Sequence, residues 1–435
     1  MTNATEIRDG MRRPRRFTDR LLVTVALASL VAACGDDVSE SSEGTTGTGS
    51  TGSSSGSDSA TGSSGLGSTA DSGNEGSGTQ SPSSTDTDGS SGSGESFEPP
   101  QETWRTALSG ARVHSICVHT NDDILVVSSD ADPLTDGAGF VERVSSDGVS
   151  LWDTQYGETE PVYFYEVVCG TDGSVYAVGH VGEEFFVPDP LLVRFDPETG
   201  EELWSQRVGI SSGGGFMGAS ADEQGVYVAG WAGAAGTLAH YSSDGVQDWG
   251  VSASDEFVRE VHAIRRWGDQ LFATGFARAN TDSIGWVAAF GLDGELHWSA
   301  MTGEGDTWAS FLLPSPDGES MLVAGQSDVS FEEETWVLTC DAEGCDSNPQ
   351  PLEGPRKLEG FAMDSRGHWL GTDGGLIRAQ VPGGENAWSY STQTRSPYPP
   401  QDSVLATDSQ GAILLGGVDE SSGAPVLVKL ALPGD

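Results

Sequence analysis

Residues 101–435 are predicted to fold as an all-β, seven-bladed β-propeller of four-stranded antiparallel blades, and three observations predict it. The first is a glycine followed four residues later by tryptophan, at Gly148/Trp152, Gly200/Trp204, Gly245/Trp249, Gly294/Trp298 and Gly384/Trp388. A sixth copy, Gly344/Asn348, keeps the glycine and loses the indole, and the intervals between fourth positions are 52, 45, 49, 50 and 40 residues. The second is an aliphatic or β-branched run ending in glycine upstream in each unit, as in Val175–Gly179, Val226–Gly230, Leu271–Gly275, Met321–Gly325 and Ile413–Gly416. The third is that the two ends of this region complete each other. Units of this length with four strand-like runs are the signature of propeller blades. Two stacked sandwiches, the alternative all-β arrangement, do not repeat at this period.

The four runs, a to d from the ring's centre outward, are clearest in the second unit. Strand a is 163–169, strand b 175–180, strand c 191–195 and strand d 202–208, joined by the turns Thr171-Asp172-Gly173 and Asp196–Gly200. Those turns are rich in Gly and Asp because Gly takes positive φ without steric cost and Asp hydrogen-bonds the local backbone. At the C-terminus, 426–432 reads as a strand c that stops inside its turn, whereas Gln101-Glu102-Thr103-Trp104 reads as a strand d with no strand c before it. Joined, they complete a seventh blade and remove the open edges that invite aggregation. Strands a are then expected to start near 112, 162, 215, 257, 308, 357 and 402.

These repeats resemble the bacterial β-propeller repeat and quinoprotein-like families over the whole of 101–435. Phe195-Asp196-Pro197-Glu198-Thr199-Gly200-Glu201-Glu202-Leu203-Trp204 matches most of the tryptophan-docking motif of quinoprotein dehydrogenases. That resemblance implies that the tryptophans lock neighbouring blades rather than carry a cofactor. One departure is Arg194, which stands where the motif has alanine. The adjacent Cys-Cys pair of those enzymes and their usual eight blades are both missing, so no quinone is expected.

Other chemistry is also poorly supported. Ser145–Trp152 approaches a sialidase box but places Gly148 directly after Asp147, one position early, and no G-x-S-x-G, P-loop or H-E-x-x-H pattern occurs. The histidines, at 114, 119, 180, 240, 262, 297 and 368, fall in different blades with no metal-ligand spacing. The expectation is a protein with no catalytic residues, no cofactor and no metal. Nucleic acid is excluded as a partner by charge: 21 basic against 66 acidic residues leave a net charge of -45, and only Lys357 and Lys429 are lysines.

The first 100 residues read as an address and a tether. Residues 1–33 have a basic region (Arg12, Arg13, Arg15, Arg16, Arg20) and the 13-residue apolar run Leu21–Ala33, too short to span a bilayer. Glu6 and Asp9 are out of place in such a region, and Met11 is an alternative start. Val31-Ala32-Ala33-Cys34 resembles the lipobox of bacterial lipoproteins, which implies a diacylglyceryl group on Cys34 and anchoring in the outer membrane. The alternative is a secreted protein whose cleavage site precedes a cysteine. From Gly35 to Pro100, 45 of 66 residues are Gly, Ser or Thr, with 11 acids and no base. Such a chain buries too little to offset its ordering entropy, so 34–100 is expected to be a disordered linker with a reach of roughly 40–50 Å.

Export places the domain where disulfides form. Cys340 and Cys345 flank a predicted c–d turn and are expected to face each other as a disulfide. Cys117 and Cys169, in the inner strands of adjacent blades, are left open between a pair and two buried thiols. Of the two ring faces, the one carrying the b–c and d–a connections has the longer, richer loops, including 130–139, 182–190, 277–285, 327–335 and 396–402. Binding residues concentrate on such loops. The ligand-face candidates are Asp130, Asp132, Asp136, Glu183, Glu184, Phe185, Phe186, Phe331 and Tyr398, joined by Tyr163 and Glu332–Glu334. The resulting expectation is a monomeric, membrane-anchored binding module with a protein or polysaccharide ligand, displayed at the surface. A periplasmic scaffold or an enzyme with a site in the ring's channel are the alternatives.

Overall fold

The computed structural model describes residues 98–433, apart from 131–136, 158–159, 183–186, 254–256, 280–281, 304, 330–331, 353–356, 374–375, 384–385, 393 and 396–403. Cys34, the expected signal and the expected linker up to residue 97 lie outside the described residues. Every regular element described is a β-strand, and the strands form seven antiparallel sheets. Blades 1 to 4 begin with inner strands Arg112–Val118, Val162–Cys169, Gly214–Ala221 and Val258–Trp267. Blades 5 and 6 begin with Asp306–Pro314 and Gly360–Met363. In each of the six, chain order is also sheet order, so strands a to d run outward without a crossover.

The seventh blade is closed by the ends of the domain. Gln101–Ala107 pairs antiparallel with Pro425–Ala431, which pairs with Ile413–Asp419, and Leu405–Thr407 and Thr394–Arg395 both pair with that strand. Arg105 fastens the closing strand, with Nη1 2.9 Å from Asp419 Oδ2 and Nη2 2.8 Å from the Thr392 carbonyl.

The core is not one cluster but a series of layers, each sandwiched between two neighbouring blades. Leu125, Val127 and Val141 of blade 1 pack with Phe164, Val193 and Phe195 of blade 2, and Tyr227 and Leu238 of blade 3 pack with Trp286 and Phe290 of blade 4. Because both faces of a blade are covered this way, strand b loses the polar alternation of a half-solvated strand: Val175–Val181 is buried at every position.

The glycine and tryptophan of the repeat meet across these layers rather than within a blade. A Cβ on Gly148 would sit 2.7 Å from the Trp104 ring, one on Gly200 2.5 Å from Trp152, and one on Gly245 2.9 Å from Trp204. Each indole N–H donates to a carbonyl in the same turn of the next blade: Trp104 to Ser146, Trp152 to Pro197, Trp204 to Ser243, Trp249 to Leu292 and Trp298 to Ala342, at 2.9–3.0 Å. Gly148 has φ +82°, so the turn needs glycine for its backbone as well as for the space it leaves. Trp104, from the N-terminal strand, thus does for the seventh blade what the others do for theirs.

Three local features differ from the sequence expectation or refine it. Segments 277–285 and 327–335 are not loops: strands Gln270–Ala279 and Asp282–Gly291 continue their ladder to Ala279↔Asp282, and Met321–Val329 and Glu332–Cys340 continue to Val329↔Glu332. In these stretches exposed Arg278, Asp328 and Glu334 alternate with buried Ala277, Ser327 and Thr335, so the polar residues mark the solvated side of a strand rather than a loop. Strand d of blade 5, where Asn348 replaces tryptophan, shrinks to Gln350–Pro351. Both cysteine pairs are bonded: Cys117–Cys169 links blades 1 and 2, and Cys340–Cys345 closes the c–d turn of blade 5.

Candidate functional site

Strand a of each of blades 1 to 5 carries a register shift that leaves a residue out of the ladder, namely His114, Tyr165, Met217, His262 and Ser310, and blade 4 carries a second at Arg259. Bulges re-aim side chains and are frequent beside functional sites. Here they gather polar aromatic residues on the b–c side of blades 1 to 3. The Tyr163 ring lies 4.4 Å from His114, 4.9 Å from Tyr165 and 5.7 Å from His180, and is nearly parallel to His180 at 11°. Trp231 of blade 3 stands edge-on to both Tyr165, at 6.0 Å, and His180, at 6.4 Å. Tyr163, Tyr165 and Trp231 are half-buried, while His114 and His180 are buried.

The backbone around the cluster explains why it forms. Tyr163 and His180 are cross-strand partners in blade 2. Trp231 pairs with Gly215, and a Cβ there would sit 2.2 Å from the indole, so the glycines at 213–215 make the seat for the ring. Val187 holds φ 71°, an unusual conformation for a β-branched residue, in the b–c loop of blade 2. The carbonyl of its neighbour Pro188 accepts the Gly214 N–H at 2.8 Å, tying that loop to the same glycine segment.

Polar groups are distributed unevenly through the cluster. His114 bridges Ser129 Oγ, 2.7 Å from Nε2, and the Tyr163 hydroxyl, 3.1 Å from Nδ1. His180 is different: its Nδ1 is buried without a hydrogen-bond partner, and burial pushes the imidazole down to about 4. It is therefore neutral at physiological pH. It borders a cavity of about 10 Å³ shared with Asp130, Tyr163 and Pro161, which is room for one water.

Of the sequence-derived ligand-face residues, Asp130 is placed beside this cluster, where its Oδ2 accepts the Ala138 N–H at 3.3 Å and closes the base of its loop. Asp132, Asp136, Glu183, Glu184, Phe185, Phe186, Phe331 and Tyr398 lie outside the described residues. Glu334 stands on a strand opposite Ser327, more than a blade away in sequence, and is not part of the cluster. Tyr165, His180 and Trp231 were not singled out by the loop argument. The available signal was Trp231, a tryptophan outside the glycine-spaced series.

Two other concavities bear on function. The axial channel holds a cavity of about 280 Å³ lined by inner strands of all seven blades. Inside it, Glu166 of blade 2 reaches Arg265 of blade 4 at 2.5 Å and accepts the Ala219 N–H of blade 3 at 2.6 Å, a clamp spanning three blades. A groove of about 620 Å³ opens between blades 4 and 5, floored by Trp336, Leu338 and Met301, where strand d of blade 5 is short. Among the described residues, no group of three or more His, Cys, Asp or Glu side chains is placed to hold a metal ion.

No protein-family profile matches the chain, and no curated protein matches it. Solved structures do. Hydrazine synthase of Kuenenia stuttgartiensis is similar with TM-score 0.54 and 12% identity over 75% of this chain and 97% of that one. The WD40 β-propeller domain of Doa1 follows at TM-score 0.53 and 12% identity, over 77% and 97%. Quinohemoprotein alcohol dehydrogenase from Comamonas testosteroni gives TM-score 0.47 and 9% identity, over 77% of each chain. The chain is a seven-bladed β-propeller, and identities this low speak to fold alone.

Proposed function

We propose that this chain is an exported lipoprotein, anchored through acylated Cys34, whose propeller acts as a surface-displayed, non-enzymatic binding module. The order of segments carries the reading: an export signal, a lipobox cysteine, 66 spacer residues without a base, and then a closed ring. A spacer with a reach of roughly 40–50 Å suits a domain held clear of a membrane and its headgroups. One further observation supports binding over catalysis. The channel's charged pair, Glu166 and Arg265, spends its polar atoms on each other and on the backbone, whereas the half-buried aromatic rings lie on the loop-bearing face.

Protease shaving of intact cells tests the display. An exposed spacer is cut readily, and the closed ring resists, so an intact propeller is expected in the supernatant of unbroken cells. Protection until the outer membrane is permeabilised overturns surface display and leaves a periplasmic scaffold. Mass spectrometry of the N-terminal peptide, carrying diacylglycerol on Cys34 or not, tests the anchor independently.

A further inference from the structure

We infer that the groove between blades 4 and 5 docks an extended segment of a partner protein, apolar along its middle and carrying Lys or Arg at its ends. This rests on the binding-module reading above and names the site and the class of partner.

The groove exists because the repeat breaks twice at one seam. In blade 1, strand d sends Trp152 and, four residues on, Tyr156 against blade 2, where the Tyr156 ring lies 5.8 Å from Phe164 and 6.3 Å from Phe195. In blade 4 the residues two and four positions after Trp298 are Ala300 and Thr302, which fill far less space. On the facing side, strand d of blade 5 has only Gln350–Pro351, against the seven residues of Leu296–Thr302 in blade 4. Pro349 and Pro351 cannot donate to a ladder, which keeps that strand short. Its ladder with strand c of blade 5 comprises only Trp336↔Pro351 and Val337↔Gln350. What remains is the groove of about 620 Å³.

Its lining selects the occupant. Met301 keeps 47% of its surface exposed there, and Pro349 and Pro351 are exposed as well. Covering such surface with an apolar side chain is stabilising. Exposed Glu334 stands towards the b–c end and exposed Asp346 beside the c–d turn. An adjoining hollow of about 460 Å³ shares Cys345 and Asp346 and adds Asp317, Glu319, Asp341 and Glu343. Among the described residues lining either concavity there is no Lys, Arg or His, so charge complementarity favours cationic ends. The Thr339 carbonyl accepts the Asp346 N–H at 2.9 Å. From Glu334 to Thr339 the strand rises by about 17 Å, the length of five or six extended residues.

Other occupants fit less well. The chain's own spacer has 11 acids and no base, and a second copy brings a net charge of -45. A polysaccharide has no apolar side chain to set against Met301 and the prolines.

Panning a phage-displayed library of random dodecapeptides on the full-length protein, immobilised from detergent at physiological salt, tests the proposal. Enriched peptides are expected to join apolar residues to Lys or Arg. Synthetic copies should bind roughly tenfold or more weakly to Met301→Arg, and likewise to the double variant Glu334→Lys with Asp346→Lys. Glu201→Lys with Asp244→Lys, the same change of charge on exposed turns of blades 2 and 3, should leave their affinity unchanged. Thermal unfolding shows that each ring is intact; should Met301→Arg unfold, the two charge reversals still decide the matter. No enrichment, enrichment of acidic peptides, affinity unchanged in both groove variants, or an equal loss in the blade 2 and 3 variant overturns the groove as the site. A dimer in sedimentation that Met301→Arg dissociates puts a second copy there and overturns the partner segment. Any of these outcomes in a protein shown to be displayed sinks this inference and leaves the display reading standing.

Discussion

Arg194 and Trp204 donate to one and the same acceptor, the Ser243 carbonyl of the next blade, at 2.6 and 2.9 Å. They are cross-strand partners in blade 2. The arrangement repeats in blades 1 and 7: Arg143 and Trp152 share the Pro197 carbonyl, and Lys429 and Trp104 share that of Ser146. Blades 4 and 6 have Ala289 and Ala379 opposite their tryptophans instead. Arg194, the departure from the docking motif, is therefore a second latch on the same seam.

A shared acceptor predicts non-additive variants. Removing either donor leaves the carbonyl bonded, so Arg194→Met and Trp204→Phe are each expected to cost about 1 kcal/mol. Removing both orphans the carbonyl, and the double variant should lose about 1 kcal/mol more than the sum. Urea titration of the four proteins measures this. A strictly additive result refutes the shared latch.

The glycines of these turns separate two costs that usually come together. Gly148→Ala meets both a positive φ of +82° and the Trp104 ring, and should cost about 3 kcal/mol. Gly423→Ala, at φ +71° with nothing within 4 Å, should cost about 1 kcal/mol from backbone strain alone. Equal losses in calorimetry would deny that the indole packs on Gly148.

Acid should reveal His180. Unfolded, the imidazole titrates near 6.5; folded, it titrates near 4, so between these values the unfolded chain binds a proton that the native ring does not. This group leaves stability unchanged above pH 6.5 and costs up to about 3 kcal/mol as pH falls to 4. His180→Gln should remove that part of the pH dependence, seen by comparing unfolding curves of both proteins across the window. An identical slope in the variant would place the titration elsewhere.

The two cross-links should differ in worth. Cys117–Cys169 closes 52 residues and Cys340–Cys345 only 5. Chain entropy puts their contributions at about 4 and about 2 kcal/mol. Cys117→Ser is thus expected to lower the denaturation midpoint more than Cys345→Ser, and the reverse order would argue that strain or local packing dominates.

The architecture was legible because it repeats. Each seam needs the same glycine-shaped gap and the same indole, so one motif marks blade after blade, and the orphan strand at Trp104 revealed how the ring closes. The aromatic cluster was not legible in the same way. Tyr163 meets His180 through strand pairing and Trp231 reaches Tyr165 from another blade, so the contacts exist only after the blades are assembled. Polar segments such as 327–335 misled for a related reason: exposed Asp328 and Glu334 give the stretch a loop-like polarity, while cross-strand pairing such as Ser327↔Glu334 decides the backbone.

Closure by the first strand has a mechanical corollary. Tension transmitted along the chain from residue 100 enters the domain at Gln101, in the strand that completes the ring. It meets a ladder running from Gln101↔Ala431 to Ala107↔Val426, the Arg105 ion pairs and the Trp104 indole docked on blade 1. Pulled along its axis, such a strand is sheared, with its bonds resisting together instead of parting one at a time. The joint where the ring is sealed is then also the joint at which a tethered domain is strained, and both demands fall on the same seven residues.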